Sequence, residues 1–588
     1  MVFKKRFLSL LCLCLAALLM LSACGGSETP KATDANGDPV ATETDKNGNV
    51  IEVPKDPDDK TPSKRPELDF AGDPTMDGID TGFARSFADM FTERDLAGAY
   101  DESKCAIIQC NGGEIGASSN AVGVSGSKAL ISKEGVYIIR GTLNDGTVII
   151  DADDTAKIQI VLDNANLTSS THAPIYVKNA NKVFITLAAG TNNTVKNGGK
   201  FEQTDDNNVD APIFSKQDIT FNGTGSLTVE SPAGHGIVGK DDLVIAGGKY
   251  NVTASGHALD ANDSVRITQA TVTVKAGKDA IRAENPEDST RGYVIICDGT
   301  YNLSAGGDAI SATSDVQIDA GKLEIVAGVG ADLSAETAPS ARGIKADGNL
   351  LVADGTIKIE TPDDAINVGG SIILAKGSLE IKAGDDAINA NDSIYAVKAD
   401  VTVKESYECY EAAHVEIRGG KHTLNSKDDA INAAGGADGS GEVSATEGSL
   451  KITAGEIFVT ADGGDGFDVK GVFEMSGGLV VISVSAKDGH AAFDYNVSGT
   501  ISGGMFVAAG SSQLPSLPTS EGQGVLSINA GTQAAGTEVT VTDADGKTVI
   551  YEKIALDFEV VVVSSPEIVK GQTYDVKIGN QSGSFEAK

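Results

Sequence analysis

Asp-Asp-Ala-Ile-Asn begins at Asp363, Asp385 and Asp428, the first two copies 22 residues apart and the third 43 further on. Adjacent carboxylates recurring at a fixed period will face one another if the copies stack. Equivalent residues of stacked strands lie about 4.8 Å apart, where two like charges repel by about 1 kcal/mol in water and a few kcal/mol near a protein surface. A hard divalent cation removes that liability. Calcium takes six to eight oxygen ligands from carboxylates, amide and backbone carbonyls, and water. The candidate ligands are Asp363, Asp364, Asn367, Asp385, Asp386, Asn389, Glu408, Glu411, Asp428, Asp429 and Asn432. A salt-screened, solvated acidic edge is the plainer alternative.

The elements that would position these groups follow from a repeat. Aligned on a small-plus-apolar pair, the copies read HGIVG at His235, HALDA at His257, DAIRA at Asp279, DAISA at Asp308, RGIKA at Arg342 and DAINV at Asp364. They continue with DAINA at Asp386, ECYEA at Glu408, DAINA at Asp429, DGFDV at Asp465 and AAFDY at Ala491. Steps of 22 dominate, and the longer ones carry insertions such as ENPEDSTRG and GVGADLSAETAPSA. A short fixed period with insertions confined to particular turns indicates a solenoid. Each unit holds three short β-branched pieces broken by Gly, Asp or Asn, which predicts an all-β, parallel β-helix of about 22 residues per coil. Ile237, Leu259, Ile281, Ile310, Ile344, Ile366, Ile388 and Ile431 should form one inward aliphatic column.

The ends suggest an exported protein. Lys4, Lys5 and Arg6 precede a short apolar run closed by Leu21-Ser-Ala-Cys24. This is the layout of a secretory leader, with a run too short to span a bilayer. The Leu-Ser-Ala-Cys segment looks like a bacterial lipobox, implying cleavage before Cys24 and lipidation of its thiol. Residues 1–23 are thus expected as a signal peptide and 24–75 as a flexible tether, too polar to offset chain entropy by burial. Residues 76–135 should form an N-terminal capping region, 136–510 the β-helix and 511–588 a C-terminal β cap, since solenoid ends expose core and strand edges. The expected location is the extracellular face of a bacterial cell membrane, reached through the lipid anchor only, and a monomer is expected.

Loss of the leader leaves 44 basic against 83 acidic residues, a balance of −39. Such acidity excludes nucleic acid as a partner, because phosphates need Lys and Arg. Trp is absent and Tyr395, Tyr407 and Tyr410 are the aromatics near the acidic edge. Cys105 and Cys110 could pair, though spacing alone leaves this open.

The stretch KESYECYEAAHVEIRGGKHTLNSKDDAINAAGG at Lys404–Gly436 resembles a bacterial carbohydrate-binding β-helix family, polysaccharide-lyase-like and once known only as a domain of unknown function. FTERDLAGAYD at Phe91 and APIYVKNANKVFITLAAGTNNT at Ala173 resemble its N-terminal part. The resemblance implies a right-handed parallel β-helix, calcium, and binding of plant-wall polysaccharide, cellulose or pectin-like, at the cell surface. The chain departs from the pattern at Cys409-Tyr410, where Gly-Ile is expected, while Glu408 and Glu411 remain.

Catalysis has to be weighed, because this architecture also carries enzymes and fold does not imply function. A calcium-dependent lyase would need a Lys or Arg base, and Arg342 and Lys345 are the best placed; outward pairing with acids is their plainer role. The hydrolase alternative fails on chain order, and His235, His257 and His490 read as turn-edge residues. The expected function is non-catalytic binding of extended polysaccharide. A polysaccharide lyase and a structural adhesion spacer are the alternatives.

Overall fold

In the computed structural model the described residues are 42–44, 50–52, 74–329, 340–434, 447–487, 489–513, 517–520 and 522–588. The leader, Cys24 and most of the 24–75 segment lie outside them. Within that segment Thr42–Thr44 pairs antiparallel with Val50–Glu52.

From Ala106 to Gly510 the chain winds into a parallel β-helix of three sheets. One coil shows the pattern. Ile237–Gly239 belongs to the first sheet, Asp242–Ala246 to the second and Lys249–Ala254 to the third. Each pairs in parallel with its counterpart in the next coil: Ile237 with Leu259, Leu243 with Val265, Tyr250 with Val272. The predicted aliphatic column is realised, Ile237 through Ile431 all having 0% exposure. Alternation explains the third sheet, where Thr271, Thr273 and Lys275 face out between inward Val272 and Val274.

Tyr410 takes the inward place between Ile388 and Ile431. The larger ring is accommodated because His422 also points inward, its Nδ1 2.8 Å from the Tyr410 hydroxyl and its Nε2 2.9 Å from the Gly419 carbonyl oxygen. The Cys409-Tyr410 departure is therefore a core substitution with its own hydrogen-bonded partner. Cys105 and Cys110 are free.

The far end is closed by the C-terminal strands. Met505–Gly510 pairs antiparallel with Phe558–Ser564, and Val525–Gln533 lines the other edge of that strand. A separate antiparallel sheet of Thr548–Lys553, Glu538–Thr542, Thr573–Ile578 and Gln581–Glu586 packs a second core around Val539, Val561 and Val576.

The near end differs from expectation. Only residues 106–131 close it, through the antiparallel pairs Ala106–Gly112 with Glu114–Ala117 and Val122–Ser125 with Lys128–Ile131. Residues 74–104 instead run down the outside of the second sheet, against the direction of coil stacking. Arg418 holds the carbonyls of Thr75 and Asp77 (2.9 and 2.8 Å). Met76 and Ile79 pack on Leu351, Ile373 and Val397, and Phe87 and Phe91 on Val244, Ile295 and Cys297. Further along, Arg140 meets Glu102 at 2.9 Å.

This strap exists because strands such as Asp242–Ala246 and Leu350–Val352 are apolar on both faces, so the outer one needs cover. Its anchor is Asp95, 1% exposed, which bonds Lys182 Nζ (2.7 Å) and Thr220 Oγ1 (2.6 Å) and closes a capping box with Thr92. Asp95→Ala strands the Lys182 ammonium in a largely buried place, and should cost about 3–5 kcal/mol. Chemical denaturation measures this, and limited proteolysis should then cut within residues 74–104 before the coils.

Candidate functional site

The acids sit at the turn that leads from the third sheet into the first. The chain enters this turn with a Gly or Ser and leaves it with the inward Ile, so the residue before the Ala points along the stacking axis. That geometry gives the column a job independent of any ion. Its side chains accept the peptide N–H of the equivalent residue in the following coil: His257 N donates to His235 Nδ1 (3.1 Å), Asp279 N to His257 Nδ1 (3.3 Å) and Asp308 N to Asp279 Oδ1 (2.9 Å). Arg342 N continues the ladder to Asp308 Oδ1 (2.8 Å), Asp386 N to Asp364 Oδ1 (3.1 Å) and Glu408 N to Asp386 Oδ1 (3.1 Å). Asp465 N donates to Asp429 Oδ1 (2.6 Å) and Ala491 N to Asp465 Oδ1 (2.7 Å). A buried peptide N–H left unbonded costs about 1–3 kcal/mol, so the ladder itself explains one carboxylate per coil. His235 and His257 are members of it, with rings stacked at 4.9 Å.

What the ladder leaves over is concentrated in two places. Asp363, Asp364 and Asp385 bring ligand oxygens within 4.8 Å of one another, and Asp386, Glu408 and Glu411 do the same. In the first group Asn367 Nδ2 donates to Asp364 Oδ2 (2.7 Å) and the Arg342 guanidinium lies 3.3 Å from the same oxygen. Asp363 is spent on backbone, taking the N–H of Ala341 and of Asp364. The second group is more deeply set, with Asp386 4% and Glu408 8% exposed. Asn389 Nδ2 donates to Asp386 and Glu411, and Asn432 Nδ2 to Glu408 Oε1 (3.0 Å). Three buried oxygens there, Glu408 Oε2, Asn389 Oδ1 and Asn432 Oδ1, have no hydrogen-bond partner among the described residues.

Burial dominates the electrostatics. It pushes the Asp364 carboxyl up to about 7, with the Asp386 charge adding to it and Arg342 opposing. Burial, then the hydrogen bond and charge of Glu411, push Asp386 to about 8. Burial with Asp386 and Glu411 nearby pushes Glu408 to about 9. Desolvation disfavours the charged form and like charges add to it, so a cation seated among these groups would favour ionisation of all three.

The third Asp-Asp copy goes elsewhere. Asp428 takes the Tyr407 hydroxyl. Asp429 belongs to the ladder, next to Asp465, Asp468 and Asp494, its carboxyl pushed up to about 7 first by burial. Asp468 and Asp494 follow Asn432 in register; the signal was present in the aligned repeats DGFDV and AAFDY. Among the tyrosines only Tyr407 is an exposed neighbour of the column, at 46%. Tyr410 is core, and Tyr395 lies under the strap beside Met76 and Ile79. Lys345 stands in the outward row between Ser311 and Asn367.

A model of the carbohydrate-binding domain-containing family matches residues 125–387, a span that ends one residue past Asp386 and short of Glu408. A carbohydrate-binding domain-containing protein of Acetivibrio thermocellus is 35% identical over 240 residues, covering 40% of this chain and 80% of that protein. A solved structure described as a polysaccharide lyase-like protein from C. thermocellum is 28% identical, matched over 51% of this chain and 96% of its own, with a TM-score of 0.35. The chain belongs to the carbohydrate-binding domain-containing family.

Proposed function

We propose that the protein binds extended, plant-wall-type polysaccharide without cleaving it, that calcium held by the second acid group is required, and that the β-helix is displayed on the outer face of a bacterial membrane by lipidated Cys24. The observation that carries the metal is the trio of buried oxygens without partners beside Asp386, Glu408 and Glu411. Buried polar atoms are normally bonded. An all-oxygen set of carboxylates and amide carbonyls suits a hard cation, whereas zinc or copper would draw on imidazole or thiolate. The only sulfur close by, Cys409, is buried and receives the Ser406 hydroxyl. Asp386, Glu408, Glu411, Asn389 and Asn432 would hold the ion, and the first group offers a weaker site because Arg342 already occupies part of its charge.

Calcium supplies the positive charge by which an acidic edge can hold sugar hydroxyls or uronate carboxylates. The chain's own contribution is rigidity. The ladder fixes Asp386 to the Glu408 peptide, and the Asn432 and Asn389 amides hold Glu408 and Glu411, so ligands are oriented before anything binds. Repetition of outward groups along the coils, about 4.8 Å apart, lets a long polymer engage several coils at once, with contacts adding through effective concentration.

A glycan array with and without calcium tests this. Long uronate polymers should bind in calcium and lose most of the signal in chelator, while mono- and disaccharides bind little. Purified protein incubated with pectate should release no unsaturated, ultraviolet-absorbing uronides, and Lys345→Ala should leave polymer binding unchanged. Rapid depolymerisation abolished by Lys345→Ala would make the protein a lyase instead.

A further inference from the structure

A second surface lies on a different edge of the β-helix, where the strap passes the turn from the second sheet into the third. There Leu96 and Tyr100 form one wall and Gln269 and Thr271 the opposite rim of an open groove of about 610 Å³, floored by Gly223 and Gly248. The volume falls within the range of small-molecule sites.

The wall is held by a buried polar network. Asn222, 0% exposed, donates its amide to the carbonyls of Arg94, Asp95 and Ala97. Its own oxygen accepts from Thr186, which in turn accepts from Gln159 Nε2, and Gln159 reaches on to the Ala99 carbonyl. A segment fixed by so many buried donors presents Tyr100 in one place.

Two features point to a ligand. Gln269 adopts a φ of +54°, a left-handed conformation that costs a residue bearing a Cβ and is usually left to glycine. The coil beneath does use glycine at the matching turn position, Gly247, two residues before Lys249 as Gln269 is two before its register partner Thr271. Strain of this kind concentrates at functional sites, and here it places an exposed amide on the rim. The second feature lies beneath the floor. The Tyr250 hydroxyl is buried without a hydrogen-bond partner among the described residues, 3.0 Å from where a Gly248 Cβ would stand. In the same setting Tyr137 and Tyr301 donate to the carbonyls of Lys133 and Asp298. Tyr250 instead leaves its hydroxyl unused beneath the Gly248 backbone of the groove floor.

The geometry points to a binding site for an uncharged glycan segment, independent of calcium. A tyrosine ring offers an apolar face with a polar tip, while Gln269, Thr271 and the glycine backbone offer the donors and acceptors that sugar hydroxyls need. Apart from Lys249 the lining is uncharged, which matches it mainly to neutral sugar hydroxyls.

The test is titration calorimetry of the full chain in chelator against cellohexaose, xylohexaose and mannohexaose, with polygalacturonate in calcium measured in parallel. At least one uncharged hexasaccharide should bind in chelator. Tyr100→Ala and the groove-filling Thr271→Arg should each weaken it at least tenfold and leave calcium-dependent polygalacturonate binding unchanged. Glu408→Gln should do the reverse, which separates failure of this site from failure of the metal-dependent one. No binding by wild type in chelator, or full binding by both groove variants, would overturn the assignment.

Discussion

Millimolar calcium should raise the melting temperature of the wild-type protein at pH 8, and Glu408→Gln should remove that response while raising the calcium-free melting temperature. The two halves have one cause. Without a cation the fold carries Asp386, Glu408 and Glu411 converging in a poorly solvated place, and at pH 8 each must either ionise against the others or hold a proton taken from a dilute supply. An ion bound only by the folded state stabilises it by about 2.7 kcal/mol at a hundredfold excess over its dissociation constant. Glutamine keeps the shape and the acceptor for Asn432 Nδ2 but takes away one of the three carboxyls. The variant therefore loses the ion and the repulsion together. A neutral amide in place of a buried carboxyl removes the cost of desolvating its charge or of taking up a proton at pH 8. Scanning calorimetry in calcium and in chelator reads both effects. A variant that still gains stability in calcium, or that melts lower than wild type in chelator, would remove Glu408 from the site.

The repeat was legible because burial in a β-helix is set by a strict alternation that a short period keeps in phase. The isoleucines of DAIN had to share a face, and the structure stacks Ile366 directly on Ile388. The stacking of Asn367, Asn389, Glu411 and Asn432 was readable for the same reason. Less accessible was the division of labour within each acid. Whether Asp386 Oδ1 serves an ion or the Glu408 peptide depends on how tightly the turn folds, which residue types alone do not specify. The strap was misplaced because Phe87, Phe91 and the Thr92–Asp95 capping box describe a docked segment without saying where it docks. The evidence for its berth lay in the partner strands. LVI at Leu243, VII at Val294, LLV at Leu350 and IIL at Ile372–Leu374 are unbroken apolar runs in a molecule that elsewhere alternates, and a strand apolar on both faces is covered on both. The insertion between Asp429 and Asp465 moved the sequence spacing away from 22 while leaving the register intact, so the aligned DAINA and DGFDV copies still place Asp429, Asp465 and Asp468 together.

Calcium-free protein should be more stable near pH 5 than near pH 8, and calcium should flatten that dependence. Asp364, Asp386 and Glu408 have carboxyls pushed up to about 7, 8 and 9 by burial first, whereas an unfolded chain ionises them near 4. Between those limits the folded state binds more protons than the unfolded one, so stability falls as pH rises. Their contribution is fully present below the unfolded value and is lost as pH climbs through about 7 to 9. The slope is at most about 1.4 kcal/mol per pH unit for each group, a total of several kcal/mol across the window. Asp95 acts in the opposite sense. Burial alone would raise it, but the Lys182 charge and its hydrogen bonds hold it below the usual carboxylate range, so its contribution is present above pH 4 and lost on further acidification. Together they place the calcium-free optimum close to pH 5. Calcium binds the ionised carboxylates and so displaces protons, which makes its stabilisation small at pH 5 and large at pH 8. Urea denaturation at the two pH values, with and without calcium, gives the four numbers needed. Chelated protein that is more stable at pH 8 than at pH 5 would mean that these carboxylates ionise without penalty in the folded state, and the case for a cation among them would fall with it.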